Sequence, residues 1–265
     1  MLRAQRLREI VRRTEVQGSI RAVELARELG VDVSTVRRDL AHLGRTGLVE
    51  RARGGALRAE PGRTIDIPYD LKRSVELDAK TAIGKAAAER VRVGETILID
   101  SGSTTFQMLP WLRQRRGITV VTNDLHIAHW LARVPGVRLI VTGGILLDGV
   151  YTLVGPQALA ALEELHVDHT FLGADAIDRE AGITNVNMVE VAVKRAMIAA
   201  ATRTSVLADS TKFEHRALAR VAGLDEVTEI ITDDRLPPGT RSRYGELPIT
   251  FVRLAAAGGT RSESA

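Results

Sequence analysis

The stretch that decides the N-terminal fold is ELARELGVDVSTVRRDLAHLGRTGLVERARGGAL, residues 24–57. Apolar residues at helical spacing predict two helices, over residues 21–29 and 33–44, with a tight turn between them. Asp32 is placed to cap the second helix, because its side chain can accept hydrogen bonds from the free N–H groups of the first turn. Two helices joined by so short a turn form a helix-turn-helix pattern, typical of proteins that place the second helix in the DNA major groove.

The second helix has one apolar and one cationic face. Its apolar stripe is expected to face inward and consists of Val33, Val36, Leu40 and Leu43. The polar side carries the candidate DNA-contacting residues Ser34, Thr35, Arg37, Arg38, His42 and Arg45. Arginine reads guanine edges in the major groove, and Ser or Thr adds smaller contacts. Arg37 lies at the flank and is expected to approach phosphate, whereas Asp39 would repel phosphate and is expected to pair with an arginine or face the domain.

A basic hairpin is predicted after the second helix. Two short apolar pieces within residues 48–57 flank a turn that ends in two glycines, which is typical of the wing of a winged helix. Arg51 and Arg53 are candidates for contact with the DNA backbone or minor groove. The alternative reading of the whole module is an ordinary three-helix bundle with a solvated basic face.

Charge is distributed unevenly along the 265 residues. Residues 1–60 contain 13 arginines and 8 acidic residues, a net charge of +5, whereas the whole chain is only +4. A basic module attached to a near-neutral body indicates a polyanionic partner for that module alone. Genome composition could explain why 32 arginines occur beside 5 lysines, but it does not explain the uneven net charge.

The remainder predicts an α/β domain. We assign residues 1–57 to a winged helix-turn-helix domain, 58–78 to a linker, 79–254 to a larger α/β domain and 255–265 to a disordered tail. A helix is predicted over residues 79–91. Short β-branched runs separated by helix-like segments predict a largely parallel sheet; they lie at residues 96–99, 119–121, 137–141, 169–172, 205–208 and 229–232. The chain has no cysteine and no apolar run of membrane-spanning length, so a cytoplasmic protein without a membrane partner is expected.

Candidate ligand-binding residues follow these strands. Ligands of parallel sheets bind beyond the carboxyl ends of the strands. A loop that combines several hydroxyl side chains with a glycine at the start of a helix is a good phosphate cradle. Asn, Asp and Lys side chains from neighbouring loops suit a phosphorylated polyol. The candidates are Asp100, Ser101, Gly102, Ser103, Thr104, Thr105, Asn123, Gly143, Gly144, Asp175 and Lys212.

The N-terminal module resembles the DeoR family of bacterial transcription regulators. The matching stretches are Glu24-Leu25-Ala26, Thr35-Val36-Arg37-Arg38-Asp39-Leu40, Gly47-Leu48-Val49 and Arg53-Gly54-Gly55-Ala56. Asp32 replaces a Ser that usually caps the helix, and Arg53 replaces a His in the wing. Both substitutions keep the local chemistry, because Asp caps as Ser does and Arg retains the positive charge.

Residues 72–253 resemble the sensor domain of the same family. The resemblance implies a fold like that of ribose-5-phosphate isomerase and an effector site at the loop residues given above, with Lys80 and Lys194 also matching family positions. It further implies a repressor of a carbohydrate-metabolism operon that binds double-stranded operator DNA as a homodimer or homotetramer. A phosphorylated sugar would modulate this binding, and no cofactor is expected.

Two alternative functions remain open: a sugar-phosphate isomerase that carries a DNA-binding module, and a DNA-binding protein whose sensor domain no longer binds a ligand. The isomerase alternative rests on segments around Asp175 and Lys212, which resemble parts of the isomerase active site. The glycine run of those isomerases is absent after Asp175, where the chain reads GITNVNMVE at 182–190 and Glu190 could serve as a base. The histidine pairs at 126/129 and 166/169 have no evident third ligand, so no metal site is expected.

Overall fold

The protein is described from a computed structural model. The structure describes residues 3–45, 48–58, 69–73, 75–147 and 150–254. The predicted disordered tail, and residues 59–68 of the predicted linker, lie outside the described residues.

Three helices and a small antiparallel sheet form the N-terminal domain. The helices are α1 (Arg3–Gln17), α2 (Ala22–Leu29) and α3 (Val33–Arg45), and the strands are β1 (Ser19–Arg21), β2 (Val49–Ala52) and β3 (Gly55–Arg58), in the sheet order β1-β3-β2. Gly55 has no room for a side chain, because an added Cβ would lie 1.9 Å from the carbonyl oxygen of Ile20. The predicted helix-turn-helix and its wing are therefore both present.

The predicted signals of the helix-turn-helix are confirmed. Gly30 ends α2 in the left-handed conformation with φ of 64°, and Asp32 caps α3 by accepting a hydrogen bond from the Ser34 N–H at 2.6 Å. Val36, Leu40 and Leu43 are buried in the domain core. Asp39 is buried as well and accepts a hydrogen bond from Arg6 Nε at 2.5 Å, so this acidic residue fixes α3 to α1 and does not face DNA.

Part of the predicted linker is helical. A short helix, α4 (Tyr69–Lys72), lies beside α1, and the next helix, α5 (Leu77–Glu89), begins within the predicted linker. Glu76 precedes α5 with φ of 55°. The linker therefore contributes ordered structure to the face between the two domains.

The C-terminal domain is built on a seven-stranded sheet whose neighbouring strands are all parallel. Its strands are β4 (Thr96–Ile99), β5 (Thr119–Thr122), β6 (Arg138–Val141), β9 (Val167–Gly173), β12 (Ala201–Leu207), β14 (Glu229–Asp233) and β15 (Ile249–Val252). The predicted α/β class and all six predicted strands are confirmed. The seventh, β15, is an edge strand of four residues that the sequence analysis missed.

Helices cover both faces of this sheet. They are α5, α6 (Leu109–Leu112), α7 (Leu125–Leu131), α8 (Pro156–Glu163), α9 (Met188–Ala199) and α10 (Pro238–Arg243). Successive strand residues point to opposite faces: Leu98 packs in the core beside α8 and α9, whereas Ile97 and Ile99 pack beside α5, α6 and α7. Two buried faces explain why the strands read as continuous apolar runs.

Shorter strands that the sequence analysis missed lie outside the main sheet. The pair β7 (Ile145–Leu146) and β8 (Leu153–Val154) forms a hairpin, and β10 (Ala176–Asp178), β11 (Gly182–Asn185) and β13 (Ala219–Ala222) form a second antiparallel sheet. Strands of two to four residues carry too little alternation to be separated from loops.

The strand order reverses between β4 and β9. The sheet order is β15-β14-β12-β9-β4-β5-β6, so the chain moves from β4 to one edge and later returns to β9 on the other side of β4. The loops after β4 and β9 must diverge at this point, which opens a crevice for ligands. Within the described residues, no helix is long and apolar enough to cross a membrane.

The buried His169 predicts acid sensitivity. Its Nε2 lies 2.8 Å from Ser205 Oγ, and burial, reinforced by the charge of Arg203, lowers its pKa to about 4. The unfolded chain has a pKa near 6.5, so it binds the proton more readily. The contribution of neutral His169 to stability is complete above about pH 6.5 and is lost as the pH falls towards 4, by about 1–2 kcal/mol at pH 5.

Urea unfolding at pH 7 and pH 5 tests this prediction. Both tryptophans, Trp111 and Trp130, lie in the C-terminal domain, so their fluorescence reports on that domain. H169Q should lose less stability than wild type between the two pH values, and the exposed control H166Q should behave as wild type. An equal loss in wild type and H169Q would show that His169 is not the acid-sensitive group.

Candidate functional site

The outward face of α3 presents the predicted DNA-contacting residues. Ser34, Arg37 and Arg38 are exposed, and Thr35 and His42 are half-buried. The Arg38 guanidinium lies along its own helix, where Nη2 donates to Thr35 Oγ1 at 3.2 Å. Arg45 ends α3, and its side chain lies outside the described residues. The structure thus brings a polar, cationic face of at least three exposed residues to the surface without an acidic side chain pointing outward from it.

The wing adds further positive charge. Arg51 in β2 and Arg53 in the turn before β3 are both exposed. Gly44 of α3 allows Arg51 to pack closely, because a Cβ at this glycine would lie 2.6 Å from Arg51 Cγ. The wing is therefore held against the C-terminal end of α3, so both cationic elements belong to one continuous surface.

A polar cleft occupies the crevice between β4 and β9. It is lined by Tyr69, Lys72, Val75, Glu76, Lys80, Ser101, Gly102, Ser103, Thr104, Val150, Thr152, Gly173, Ala174, Asp175, Asn185, Glu190, Lys194, Leu207, Asp209, Thr211 and Lys212. The lining contains six of the eleven predicted effector residues: Ser101, Gly102, Ser103, Thr104, Asp175 and Lys212. Loops from β4, β9 and β12 therefore converge, as expected of the carboxyl ends of parallel strands.

The loop after β4 is held in place by its own polar groups. The Ser101 N–H donates to Asn123 Oδ1 at 3.0 Å, and the Ser101 hydroxyl donates to Asp124 Oδ2 at 2.6 Å. By contrast, the backbone N–H groups of Gly102, Ser103 and Thr104 donate to no acceptor among the described residues. Three successive N–H groups in a loop that leads into a helical turn provide a concave anion site.

Lysines surround this loop. Lys212 is half-buried and has no ion-pair partner among the described residues. Lys80 is buried, and its Nζ donates to the carbonyl oxygens of Lys72 and Val75. Burial lowers the pKa of Lys80 to about 8, against the attraction of Asp209. An anion bound in the cleft would stabilise the charged form of Lys80. It would also interact with the positive charge of Lys212, which no described carboxylate compensates.

A buried ion pair forms the floor of the cleft. Lys194 Nζ on α9 lies 2.5 Å from Asp100 Oδ2 and donates to the carbonyl oxygen of Gly173 at 3.0 Å. The same carboxylate oxygen accepts the Gly173 N–H at 2.9 Å. Asp100 and Lys194 are both nearly inaccessible to solvent, so the pair joins the loop after β4 to the loop after β9 across the point where the strand order reverses.

Helix α4 supplies one wall of the cleft. Lys72 Nζ lies 3.2 Å from Asp175 Oδ1, and Lys72 contributes most to lowering the pKa of Asp175 against the effect of burial. Tyr69 is buried and packs edge-on against Tyr151, with ring centroids 5.2 Å apart. A segment that the sequence analysis assigned to the linker is therefore anchored at the cleft.

Five predicted effector residues, Asp100, Thr105, Asn123, Gly143 and Gly144, are not among the residues that line the cleft. Asp100 lies beneath it, and the Thr105 hydroxyl donates to the carbonyl oxygen of Asp100 at 2.8 Å. Asn123 supports Ser101 and donates to the carbonyl oxygen of Leu153 at 3.3 Å.

Gly143 and Gly144 have backbone conformations that favour glycine. Both have positive φ, and a Cβ on Gly144 would lie 2.5 Å from the carbonyl oxygen of Val154. The two glycines let the chain turn into the β7–β8 hairpin. The sequence predicts a close backbone approach at both glycines; at Gly144 the structure has such an approach to the protein's own backbone, whereas a Cβ on Gly143 would have nothing within 4 Å.

The cleft also contains residues that the sequence analysis did not assign to the site. Lys72 was missed because residues 58–78 carry no periodic pattern. Asn185 and Glu190 were missed as a pair because they meet only where β11 ends and α9 begins. Asn185 Nδ2 donates to Glu190 Oε2 at 2.7 Å, and burial raises the pKa of Glu190. Lys80 and Lys194 were indicated only by family resemblance, and both line the cleft.

Comparison with known proteins identifies the class of this chain. Residues 6–61 match the family profile described as DeoR-like helix-turn-helix domain, and residues 75–234 match the DeoR C terminal sensor domain. The chain is thus a DNA-binding transcriptional regulator, and it belongs to the DeoR family.

Relatives match along nearly the whole chain. It is 32% identical to the HTH-type transcriptional regulator GlpR of Haloferax volcanii, over 95% of this chain and 98% of that protein. It is 28% identical to the glycerol-3-phosphate regulon repressor of Escherichia coli (88% and 92% covered), and 30% identical to the L-fucose operon activator of Haemophilus influenzae (83% and 88% covered).

Solved structures of similar shape include ribose 5-phosphate isomerase A of Methanocaldococcus jannaschii. That structure has 18% sequence identity and a TM-score of 0.39, and the match covers 52% of this chain and 54% of that chain.

Two arginines of α3 are expected to contribute differently to DNA binding. R38A should reduce the preference for operator over unrelated duplex by about 10- to 100-fold, because one base-reading arginine provides about 1–3 kcal/mol of discrimination. R37A should weaken binding to both duplexes equally and lower the salt slope by about one unit, because it removes one phosphate contact. Fluorescence anisotropy on DNA from upstream of the gene itself measures both. An unchanged preference in R38A would remove Arg38 from the base-reading set.

Proposed function

We propose that this regulator represses a carbohydrate-metabolism operon. A phosphorylated sugar, bound in the cleft of the C-terminal domain, modulates the affinity of the regulator for operator DNA. The observation that carries the proposal is the set of three unpaired N–H groups at residues 102–104 beside Lys212 and Lys80. Such a set suits the phosphate group of a ligand.

Other polar residues of the cleft suit the polyol part of the ligand. Asp175, Asn185 and Glu190 present carboxylate and amide groups, which accept and donate hydrogen bonds to sugar hydroxyls. A phosphate near Lys212 and hydroxyls near Asn185 give the ligand one orientation. Small-molecule sites generally combine a few convergent polar groups in this way.

The names of the relatives support the carbohydrate assignment. They refer to glycerol 3-phosphate and to L-fucose, and they include both a repressor and an activator. Repression is the mode we propose, and a reporter gene under the upstream promoter should become more active when the gene for this regulator is deleted.

We further propose that the protein acts in the cytoplasm as a homodimer or homotetramer, with the C-terminal domain as the oligomerisation surface. One winged helix contacts only a few base pairs, and a two-fold dimer doubles the sequence that is read. The proposed domain limits remain residues 1–57 for DNA binding and 79–254 for sensing, with residues 69–78 of the intervening linker contributing to the cleft.

The direct test is a titration with a panel of D-ribose 5-phosphate, D-glucose 6-phosphate, sn-glycerol 3-phosphate and inorganic phosphate. Calorimetry measures binding to the protein, and anisotropy measures the effect on operator affinity. Binding of a sugar phosphate with a changed operator affinity supports the proposal. If the protein binds operator tightly but binds no member of the panel, the phosphate-binding role of the cleft is wrong.

The isomerase alternative is tested with the same material. Glu190 lines the cleft and has a raised pKa, so ribose 5-phosphate should also be followed by NMR for conversion to the ketose. Turnover that disappears in E190Q would favour the enzyme, whereas unchanged ribose 5-phosphate leaves the regulator as the function.

Lys212 is expected to be essential for the response to the effector. K212Q should keep operator affinity within about two-fold but weaken binding of the sugar phosphate by about 10-fold or more, because a charged hydrogen bond contributes about 1.5–3 kcal/mol. K85Q is the matched control, because Lys85 lies exposed on α5 against Trp111 and away from the cleft. An unchanged ligand affinity in K212Q would place phosphate recognition elsewhere.

A further inference from the structure

A row of hydrogen bonds leads from the cleft towards the linker. Ser210 lies in the turn Ser210–Lys212, two residues before Lys212. Its N–H donates to Asp233 Oδ2 at 2.7 Å, and its hydroxyl donates to Asp233 Oδ1 at 3.0 Å. Asp233 ends β14 and is inaccessible to solvent. The backbone N–H and the hydroxyl of Ser210 therefore both hold the turn that carries Lys212 against the end of β14.

Arg235 continues this row. Its backbone N–H and its Nε donate to Asp233 Oδ1 at 3.1 and 2.9 Å, and its Nη2 donates to Glu76 Oε2. Burial opposes the charge of Arg235, but the two carboxylates outweigh this effect and raise its pKa. Arg235 is thus a permanent cation that bridges the end of β14 and the residue before α5.

Glu76 occupies a strained position. Its φ of 55° lies in the left-handed region that residues with side chains rarely adopt. It is also the residue at which the linker enters α5, and its carbonyl oxygen accepts the Lys80 N–H at 2.9 Å. Among the described residues, Arg235 is the ion-pair partner of this carboxylate. The bridge therefore holds the linker in a conformation that the backbone alone disfavours.

The same pair faces the DNA-binding domain. Glu76 and Arg235 line a second cleft together with Gln5, Glu9 and Arg12 of α1. Helix α1 is in turn joined to α3 by the buried Arg6–Asp39 ion pair. Helix α4, which precedes Glu76 in the linker, lies beside α1. The hydrogen-bonded row that starts beside Lys212 therefore ends at a segment adjacent to the DNA-binding domain.

We propose that Arg235 is a positioning residue that couples occupancy of the effector cleft to the placement of the DNA-binding domain. This inference rests on the proposed function of that cleft. A phosphate that attracts Lys212 displaces the turn at Ser210, and Asp233 and Arg235 follow because they are joined to that turn by hydrogen bonds. Glu76 then shifts the linker and with it α4, which lies beside α1. Arg235 itself does not line the effector cleft.

The experiment compares wild type, R235Q and R253Q. Arg253 is an exposed arginine at the same end of the sheet without a partner among the described residues, so R253Q controls for the loss of one positive charge. For each protein, calorimetry gives the dissociation constant of the best-binding phosphate of the panel above. Anisotropy gives the operator dissociation constant with and without that phosphate, at equal ionic strength.

In wild type and R253Q we expect the phosphate to change operator affinity by a factor within the usual allosteric range of about 5- to 150-fold. In R235Q the phosphate should bind within about two-fold of its wild-type affinity, while its effect on operator affinity falls to about two-fold or less. A loss of fold would instead weaken phosphate binding and lower Tm, and circular dichroism melting measures this directly.

E76Q provides a second check; because Glu76 also lines the effector cleft, the phosphate affinity of this variant is measured by calorimetry alongside its coupling factor. If Arg235 acts through Glu76, E76Q should also lower the coupling factor, and the double variant E76Q/R235Q should be no worse than either single variant. R235K, which can reach only one of the two carboxylates, should keep part of the coupling.

The outcomes distinguish the proposed effector cleft from the proposed coupling role of Arg235. A wild type that binds no phosphate of the panel overturns both the effector cleft and the role of Arg235. If the phosphate changes operator affinity by the same factor in wild type and in R235Q, only the role of Arg235 is overturned. Additive losses in the double variant would show that Arg235 does not act through Glu76.

Discussion

The buried ion pair between Asp100 and Lys194 is the constraint on which the sensor domain depends. It lies where the strand order reverses, and it joins the loops after β4 and β9 through one carboxylate oxygen shared between Lys194 Nζ and the Gly173 N–H. Removing one partner of such a pair leaves an uncompensated buried charge, at a cost of about 3–5 kcal/mol. The crevice between diverging strands therefore has a fixed floor, and the groups above it are held at defined positions.

Above this floor, the lysines of the cleft differ in how their positive charges are compensated. Lys194 is compensated by Asp100, Lys72 lies beside Asp175, and Lys80 donates to two carbonyl oxygens. Within the described residues, neither Lys80 nor Lys212 has an ion-pair partner, but Lys80 Nζ is held by two carbonyl oxygens, whereas Lys212 Nζ has no such acceptor. An entering anion would thus meet the positive charges of Lys80 and Lys212 together with the free N–H groups of the loop after β4, which favours a phosphate position beside that loop.

The cleft and the DNA-reading helix are connected by the segment between the domains. Helix α4 lines the cleft through Lys72 and lies beside α1, and Glu76 is held by Arg235 at the start of α5. An effector can change DNA affinity only if it favours one arrangement of these parts over another. A linker that lines the proposed effector site meets this condition more directly than a flexible tether, because a bound ligand would contact the linker itself.

The sequence by itself determined the features that depend on local spacing. Val36, Leu40 and Leu43 at helical period, Asp32 as a cap and Gly30 as a stop were sufficient for the helix-turn-helix, and six β-branched runs were sufficient for the parallel sheet. The hydroxyl loop at 101–104, Asp175 and Lys212 were found because parallel strands necessarily end at one edge of a sheet.

Tertiary structure decided which residues face the cleft, because this depends on contacts between segments far apart in the chain. Asp100 and Asn123 were expected to touch an effector, but they pair with Lys194 and with Ser101 inside the protein. Lys72 was placed in a linker, but packing of Tyr69 against Tyr151 brings it to Asp175, 103 residues away. A buried polar group must find a partner, and the sequence does not reveal whether that partner is a ligand or another residue of the chain.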